Sequence, residues 1–213
     1  MAQLVIEFDW ARDPKGYRLA EVGRRRMLKV VRNGKGHTPK DFQHCRPLSL
    51  TDQLFRIFAN TATTPKGVLE FVQRYGPLTQ DGRSAMAGDP VNVVMFNADR
   101  MREVLRCSSG DQKQPAFPPG RQYHLCPSSS LDAAVVWDDV MMAPKWELRP
   151  KSLLDALWLQ LGQALTRGAR LRQCEHCGDW FETGRRTGRR LDAKFCSDEH
   201  RIAFNSLKRS KGK

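Results

Sequence analysis

Four potential metal ligands near the end of the chain constrain its fold more than any other feature. Cys174 and Cys177 form a C-x2-C pair, and Cys196 and His200 follow as a C-x3-H pair. The first pair can bring two sulfurs to one metal through a tight turn, and the second places its ligands one helical turn apart. Three thiolates and one imidazole predict a closed, tetrahedral structural zinc site.

Two alternatives to this ligand set stay open. His176 lies between the first two cysteines and competes with His200 as fourth ligand. The cysteines could also be unrelated surface thiols, but a segment of about 40 residues with almost no core usually needs a metal to fold. Catalysis by the metal is not expected, because four ligands leave no open position for water and the deaminase pattern H-x-E with P-C-x-x-C is missing.

The remaining cysteines, Cys45, Cys107 and Cys126, stand alone in the sequence. We interpret them as buried or incidental thiols, since a free cysteine packs like a small apolar residue. The clustered C-x2-C pair favours a reducing compartment over a disulfide framework. Because the N-terminus has no basic region before a long apolar run, and no apolar stretch is long enough to span a membrane, we expect a cytoplasmic protein.

Positive charge is concentrated at the C-terminal end of the chain. The net charge is +13, and residues 165–213 alone hold 13 Lys/Arg against 6 Asp/Glu. A basic chain with this asymmetry favours a polyanionic partner, most often nucleic acid. A solvated, soluble surface is the alternative explanation, and charge by itself does not separate the two.

Residues 1–168 are expected to form an α+β domain, mostly helical with short β-hairpins, which could sense or bind a ligand. Alternation at residues 4–9 predicts a strand, and residues 17–22 are expected to pair back as a second strand. Strand candidates follow at 27–31, 123–125, 133–137 and 145–148. Four helix-start signals are present: Ser49 with Asp52, Thr64-Pro65, Asp89-Pro90, and Ser152 with Asp155.

Residues 169–213 are expected to form a small zinc-ribbon or treble-clef module with a basic C-terminal helix. Arginine forks suit phosphate oxygens, and the glycines of the loop at 184–190 let it follow a nucleic-acid backbone. Phe204 and Leu207 fall near His200 on the helix and are expected to pack inward. The predicted nucleic-acid contacts are Arg185, Arg186, Arg189, Arg190, Arg201, Asn205, Lys208 and Arg209.

Two stretches of this module resemble known bacterial zinc modules. Lys194–Arg201 resembles modules reading Phe-Cys-Ser-x-x-Cys-Arg, with His200 where they have Cys. Leu171–Cys174 and Cys177–Phe181 resemble the knuckle of ABATE-type proteins with a C-terminal CGNR zinc finger. In that family the first cysteines are usually further apart, and Gly-Asn-Arg follows the last one. The resemblance implies a mainly helical N-terminal domain and a DNA-binding finger in a transcription regulator.

These features together predict a bacterial, zinc-dependent nucleic-acid-binding protein that regulates transcription, with DNA favoured over RNA and no membrane partner. A regulator that reads a symmetric site is usually a dimer, so a homodimer stays open. The alternative is a protein-interaction or RNA-binding module whose zinc is purely structural. An enzyme is not expected, because no spacing links the residues that a site in the N-terminal domain could recruit: His37, His44, His124, Asp138 and Asp139.

Overall fold

The computed structural model describes residues 5–6, 10–30, 43–46, 53–79, 88–109, 131–138, 142–184 and 187–211. Within these ranges the chain forms helices and small groups of strands, so the predicted α+β class is confirmed. The strands are β1 Val5–Ile6, β2 Trp10–Arg12, β3 Tyr17–Val22, β4 Arg25–Val30, β5 Gln43–Cys45, β6 Leu131–Asp138, β7 Ala143–Pro150, β8 Arg170–Gln173 and β9 Trp180–Thr183. The helices are α1 Leu54–Thr61, α2 Pro65–Tyr75, α3 Val91–Ser108, α4 Leu153–Thr166 and α5 Asp198–Lys211.

Helices α2, α3 and α4 begin where the sequence predicts. The Thr64 hydroxyl accepts a hydrogen bond from the Gly67 backbone N–H at 3.1 Å and so caps α2 ahead of Pro65. The Ser152 hydroxyl caps α4 in the same way by accepting from the Asp155 N–H at 3.1 Å. By contrast, α1 follows Gln53, which makes no side-chain capping bond. The predicted cap of Ser49 with Asp52 lies outside the described residues.

The strand at residues 17–22 is present, but its partner differs from the predicted one. β3 pairs antiparallel with β4 through a turn at Gly23, with Tyr17 opposite Val30 and Val22 opposite Arg25. The opening segment instead pairs with distant strands, β1 parallel to β7 and β2 antiparallel to β5. β3 thus forms a local hairpin with the strand candidate that follows it. The partners of the opening segment are set by long-range packing that no local pattern reports.

The α-helices supply most of the buried apolar side chains. Phe58 and Phe71 pack edge to face at 5.1 Å between ring centroids, and this joins α1 to α2. The Trp10 indole donates to the Pro77 carbonyl oxygen at 2.7 Å, anchoring β2 at the end of α2. Helix α4 contributes to this core through Leu153, Leu157 and Leu161, which are fully buried.

Two compact units divide the chain, one from residues 1–98 and 124–161, the other from residues 99–123 and 162–213. The boundary predicted between residues 168 and 169 lies inside the second unit. Separate folding of residues 169–213 therefore stays a prediction. None of the described helices is long and apolar enough to cross a membrane.

Candidate metal centre

The C-x2-C pair lies in a tight turn that joins β8 to β9. These strands pair antiparallel, with Gln173 opposite Trp180, so the chain must reverse within six residues. The Gly178 N–H donates to the Cys174 carbonyl oxygen at 2.9 Å, and Gly178 has a φ of 78°, which glycine adopts without a steric penalty. Cys174 and Cys177 therefore project from one turn toward the same point.

The C-x3-H pair lies at the start of α5. The sequence predicts a helix start near Cys196, and the helix begins two residues later, at Asp198. The Ser197 hydroxyl accepts from the His200 N–H at 3.3 Å, and Asp198 and Glu199 occupy the first turn, where the helix dipole favours negative charge. This first turn carries His200 back toward Cys196.

The structure brings together the ligand atoms of all four residues, Cys174, Cys177, Cys196 and His200. The three sulfurs and a His200 ring nitrogen all lie within 4.8 Å of one another. Cys177 Sγ lies 3.8 Å from Cys196 Sγ, and the His200 Nδ1 lies 3.9 Å from Cys174 Sγ and 2.9 Å from Cys196 Sγ. The cluster could hold one metal ion.

The thiols of the cluster differ in acidity. Burial opposes ionisation of Cys174, but hydrogen bonds from the backbone of Cys177, Cys196 and His176 outweigh it and lower its pKa to about 6. Desolvation of the sulfur raises the pKa of Cys177 to about 12, and desolvation also raises the pKa of Cys196. A bound cation would favour the thiolate at all three positions.

His176 lies beside the cluster rather than in it. Its ring centroid is 4.9 Å from that of His200, and the rings are tilted by 48°. The group of side chains that could hold a metal includes His200 and omits His176. Because Cys174 and Cys177 point toward the cluster from this turn, His176, one of the two residues between them, lies to its side.

The Arg189 side chain contacts two other residues of the metal module. Its guanidinium donates to the Cys196 carbonyl oxygen at 2.9 Å and lies over the Phe181 ring at 5.9 Å. A second tie joins the knuckle to the following loop, where the Glu175 N–H donates to the Lys194 carbonyl oxygen and their side chains pair at 3.2 Å. From the sequence, Arg189 is predicted to contact nucleic-acid phosphate. Its contacts with Cys196 and Phe181 could not be predicted, because nothing in the sequence of the loop distinguishes one arginine from the next.

The other predicted contacts on described residues lie at the surface. Arg190 pairs with Asp192 at 3.1 Å, and Arg201 pairs with Asp198 at the same distance. Three further predicted contacts are exposed along α5: Asn205, Lys208 and Arg209. Arg185 and Arg186 lie outside the described residues.

The prediction that Leu207 packs inward is wrong. Phe204 does pack, with its ring 5.2 Å from that of Phe195, but Leu207 is 53% exposed. Both residues lie on the His200 side of α5, as predicted from spacing. Among the described residues, however, nothing covers the helix as far along as Leu207.

A basic cleft lies beside the metal cluster. It has a volume of about 440 Å³, with the Phe195 and Cys196 segment in its wall and the first turn of α5 at one side. The acidic side chain in its lining is Asp198. The basic side chains that line it are Arg189, Arg190, Lys194 and Arg201. The cleft can attract an anion, because these cations exceed the carboxylates.

The side chains considered for an enzyme site in the N-terminal domain all lie outside what the structure describes. His37, His124 and Asp139 lie outside the described residues. His44 and Asp138 lie in β5 and β6, but only their backbone is described. The absence of an enzyme site therefore stays a prediction.

No protein-family model, curated protein or solved structure matches this chain. The resemblance to ABATE-type proteins with a CGNR zinc finger accordingly stays a prediction from the residues that carry it.

Proposed function

We propose that this chain is a zinc-dependent nucleic-acid-binding protein that acts as a DNA-binding transcription regulator. The observation that carries the proposal is the basic cleft, because it places an excess of arginine and lysine beside a cluster of side chains that could hold a metal. The two parts of the proposal, metal and nucleic acid, rest on separate features and are tested separately.

Zinc is the metal that the donor set supports best. A tetrahedral zinc with Zn–S bonds of about 2.3 Å and Zn–N bonds of about 2.0 Å requires S–S separations of about 3.8 Å and S–N separations of about 3.6 Å. The Cys177–Cys196 sulfur distance of 3.8 Å and the Cys174–His200 distance of 3.9 Å are close to these edges. Cys196 Sγ and His200 Nδ1, at 2.9 Å, would have to move apart to bind the same zinc. Three soft thiolates with one imidazole also favour zinc over the hard cations magnesium and calcium.

Zinc would have a structural role here. Cys174, Cys177, Cys196 and His200 fill a tetrahedral shell and leave no position for a reacting water. We include a treble-clef fold in the proposal. In that fold a hairpin carries the first two ligands and a following helix carries the last one, as β8, β9 and α5 do here. In this arrangement the metal holds α5 and the basic cleft on one base.

Duplex DNA is favoured by the form of α5. The helix has 14 residues, about 21 Å in length, and its last three turns are largely exposed. After His200 the sequence contains basic residues and no carboxylate up to residue 213. An exposed basic helix fits the wide major groove of B-DNA but not the deep, narrow one of duplex RNA.

The ion pairs at the cleft do not prevent phosphate binding. Arg190 and Asp192 are 86% and 72% exposed, and Arg201 and Asp198 are also largely in solvent. Exposed pairs of this kind contribute about 0–1 kcal/mol. A phosphate can replace the carboxylate at little cost, and each such contact adds counterion release from the DNA.

The protein-interaction alternative receives little support from α5. Ile202 is 60% exposed and Leu207 is 53% exposed, which would suit an apolar partner if the two shared a face. Residues five apart are separated by about 140° around a helix, so these two do not form one stripe. The alternative stays open, but this helix does not favour it.

Duplex binding as a function of salt tests the proposal. We expect a labelled duplex to bind the zinc-loaded chain with an affinity that falls steeply between about 50 and 200 mM salt. The double variant Arg201→Gln/Lys208→Gln should bind more weakly and reduce the slope of log affinity against log salt by about two. Fluorescence anisotropy measures both quantities, and an RNA duplex of the same sequence should bind less tightly.

Lys66→Gln is the matched control for the loss of an exposed cation. Lys66 is 87% exposed on α2 in the other unit, so its replacement should leave binding unchanged after correction for total charge. Zinc content of each variant verifies that the module is intact. Absence of binding at low salt, or equal losses in the double variant and Lys66→Gln, would disprove nucleic-acid recognition by α5.

A further inference from the structure

A second basic pocket lies in the same unit as the metal cluster. It has a volume of about 320 Å³ and is lined by the end of α3, the end of β8, the knuckle and the loop before α5. We call it the Arg106 pocket. Its principal lining residues are Arg106, Arg172, Gln173, Glu175, Trp180 and Lys194.

Positive charge exceeds negative charge in the Arg106 pocket. Three cations line it against one carboxylate, Glu175, which pairs with Lys194 at 3.2 Å. Arg106 and Arg172 line the same concavity. Arg172 is held in place there, since its Nη1 donates to the Leu191 carbonyl oxygen at 3.4 Å. The cations in such a concave site are screened less by water than on an open surface and repel each other more strongly. A bound dianion would relieve this repulsion.

Among the cations of the pocket, Arg106 is the one whose side chain has the least evident structural role. A basic residue in the last turn of α3 is favoured by the helix dipole, and this accounts for a cation near this position. Within the described part of the chain, no hydrogen bond or ion pair of its guanidinium is found. Its five donors are therefore available to a ligand in the pocket.

The walls of the pocket suit a small molecule. Trp180 is buried, with 4% of its surface exposed, and Gln173 is held by a hydrogen bond from its amide to the Gly178 carbonyl oxygen at 2.7 Å. These side chains cannot move freely, so the shape of the pocket is largely preformed. A volume of about 320 Å³ lies at the lower end of the range of small-ligand sites.

We propose that the Arg106 pocket binds a small phosphorylated molecule, with its phosphate dianion held by Arg106 and Arg172. One guanidinium can donate two parallel hydrogen bonds to two phosphate oxygens. Two guanidinium groups balance the charge of a phosphate dianion. The proposal does not depend on nucleic-acid binding, because Arg106 and Arg172 do not line the basic cleft. It would give the protein an effector site next to the metal module.

Calorimetric titration of the full-length, zinc-loaded chain with inorganic phosphate and pyrophosphate tests this site. We expect one site per chain and tighter binding of pyrophosphate. Arg106→Gln should weaken pyrophosphate binding at least about tenfold, since a charge-assisted hydrogen bond is worth this factor or more. Arg100→Gln, a control on the same helix outside the pocket, should change the affinity less than about twofold, because an exposed charge contributes little.

The outcomes separate this site from the nucleic-acid surface. Arg106→Gln should leave duplex binding unchanged, and Arg201→Gln/Lys208→Gln should leave pyrophosphate binding unchanged. No saturable binding of either anion, or equal effects of Arg106→Gln and Arg100→Gln, would overturn the proposal. A loss of duplex affinity in Arg106→Gln as large as in the α5 double variant would also overturn it, by assigning the pocket to a DNA phosphate.

Discussion

Two histidines of the metal module lie side by side and have different environments. The rings of His176 and His200 are 4.9 Å apart, yet the His200 Nδ1 is the nitrogen that lies near the sulfurs of Cys174 and Cys196. His200 is carried by the first turn of α5, whose geometry returns it to Cys196. His176 occupies the middle of a turn whose flanking cysteines already face the centre.

Alanine substitutions at these two histidines should lower zinc affinity to very different extents. His200→Ala removes a ligand and should lower zinc affinity by more than about 100-fold, since even loss of an outer-shell partner costs about 10–100-fold. His176→Ala should cost at most about tenfold, because its ring contacts a ligand without binding the metal. Competition with a chromophoric chelator measures both affinities, and greater loss in His176→Ala would reverse the ligand assignment.

Neighbouring arginines in one loop also differ at the residue scale. Arg189 donates to the Cys196 carbonyl oxygen inside the module, whereas Arg190 extends into solvent beside Asp192. In the sequence both are neighbouring arginines that follow Gly188. Which one stabilises the fold depends on where the Cys196 carbonyl lies, and that position is set by the metal-site geometry.

At the scale of the elements, helix starts are the most local features of this chain. Thr64 and Pro65 define the start of α2 by a side-chain cap and a residue that needs no N–H partner. Asp89 shows the limit of such reasoning. Helix α3 begins after Asp89-Pro90, but the buried Asp89 carboxylate accepts from the Leu78 and Thr79 N–H groups beyond the end of α2.

The cap of α2 should make a measurable contribution to stability. Thr64→Ala leaves the Gly67 N–H without its side-chain acceptor and should lower the free energy of unfolding by about 1 kcal/mol. Thr63→Ala, one residue earlier and exposed, should change it by less than about 0.5 kcal/mol. Urea denaturation of the zinc-loaded chain compares them, and equal losses in the two variants would contradict the capping role of Thr64.

At the scale of the whole molecule, the two units differ in what holds them together. Phe55, Phe58 and Phe71 are fully buried in the first unit, where helices cover one another. The metal module buries Leu171, Trp180 and Phe181, but α5 is exposed over most of its length. A bound metal would therefore supply the stability that so small a core lacks.

Removal of the metal should loosen the second unit selectively. Chelation is expected to abolish hydrogen-exchange protection of the amides in β8, β9 and α5, because their packing depends on the ligand cluster. Amides of α2 should keep their protection, since their contacts do not involve the metal. Exchange followed by mass spectrometry on peptides of the full chain measures both, and unchanged protection in α5 would contradict a folding role for the metal.

The sequence by itself determined the features that arise from nearby residues. Turn geometry, capping and helical period account for the starts of α2, α3 and α4 and for the ligand spacing at Cys174, Cys177, Cys196 and His200. These signals act over a few residues, so they persist whatever the rest of the chain does. For the same reason the α+β class could be predicted before any partner was known.

Only the tertiary structure decided which segments meet. The pairing of β1 with β7, the exposure of Leu207, the use of Arg189 within the module and the gathering of Arg106 with Arg172 all join positions whose separation in sequence carries no signal. Such contacts are chosen by packing and charge across the whole fold, where each depends on all the others. The ligand cluster was predictable because its two halves are local turns, and the pocket beside it was not.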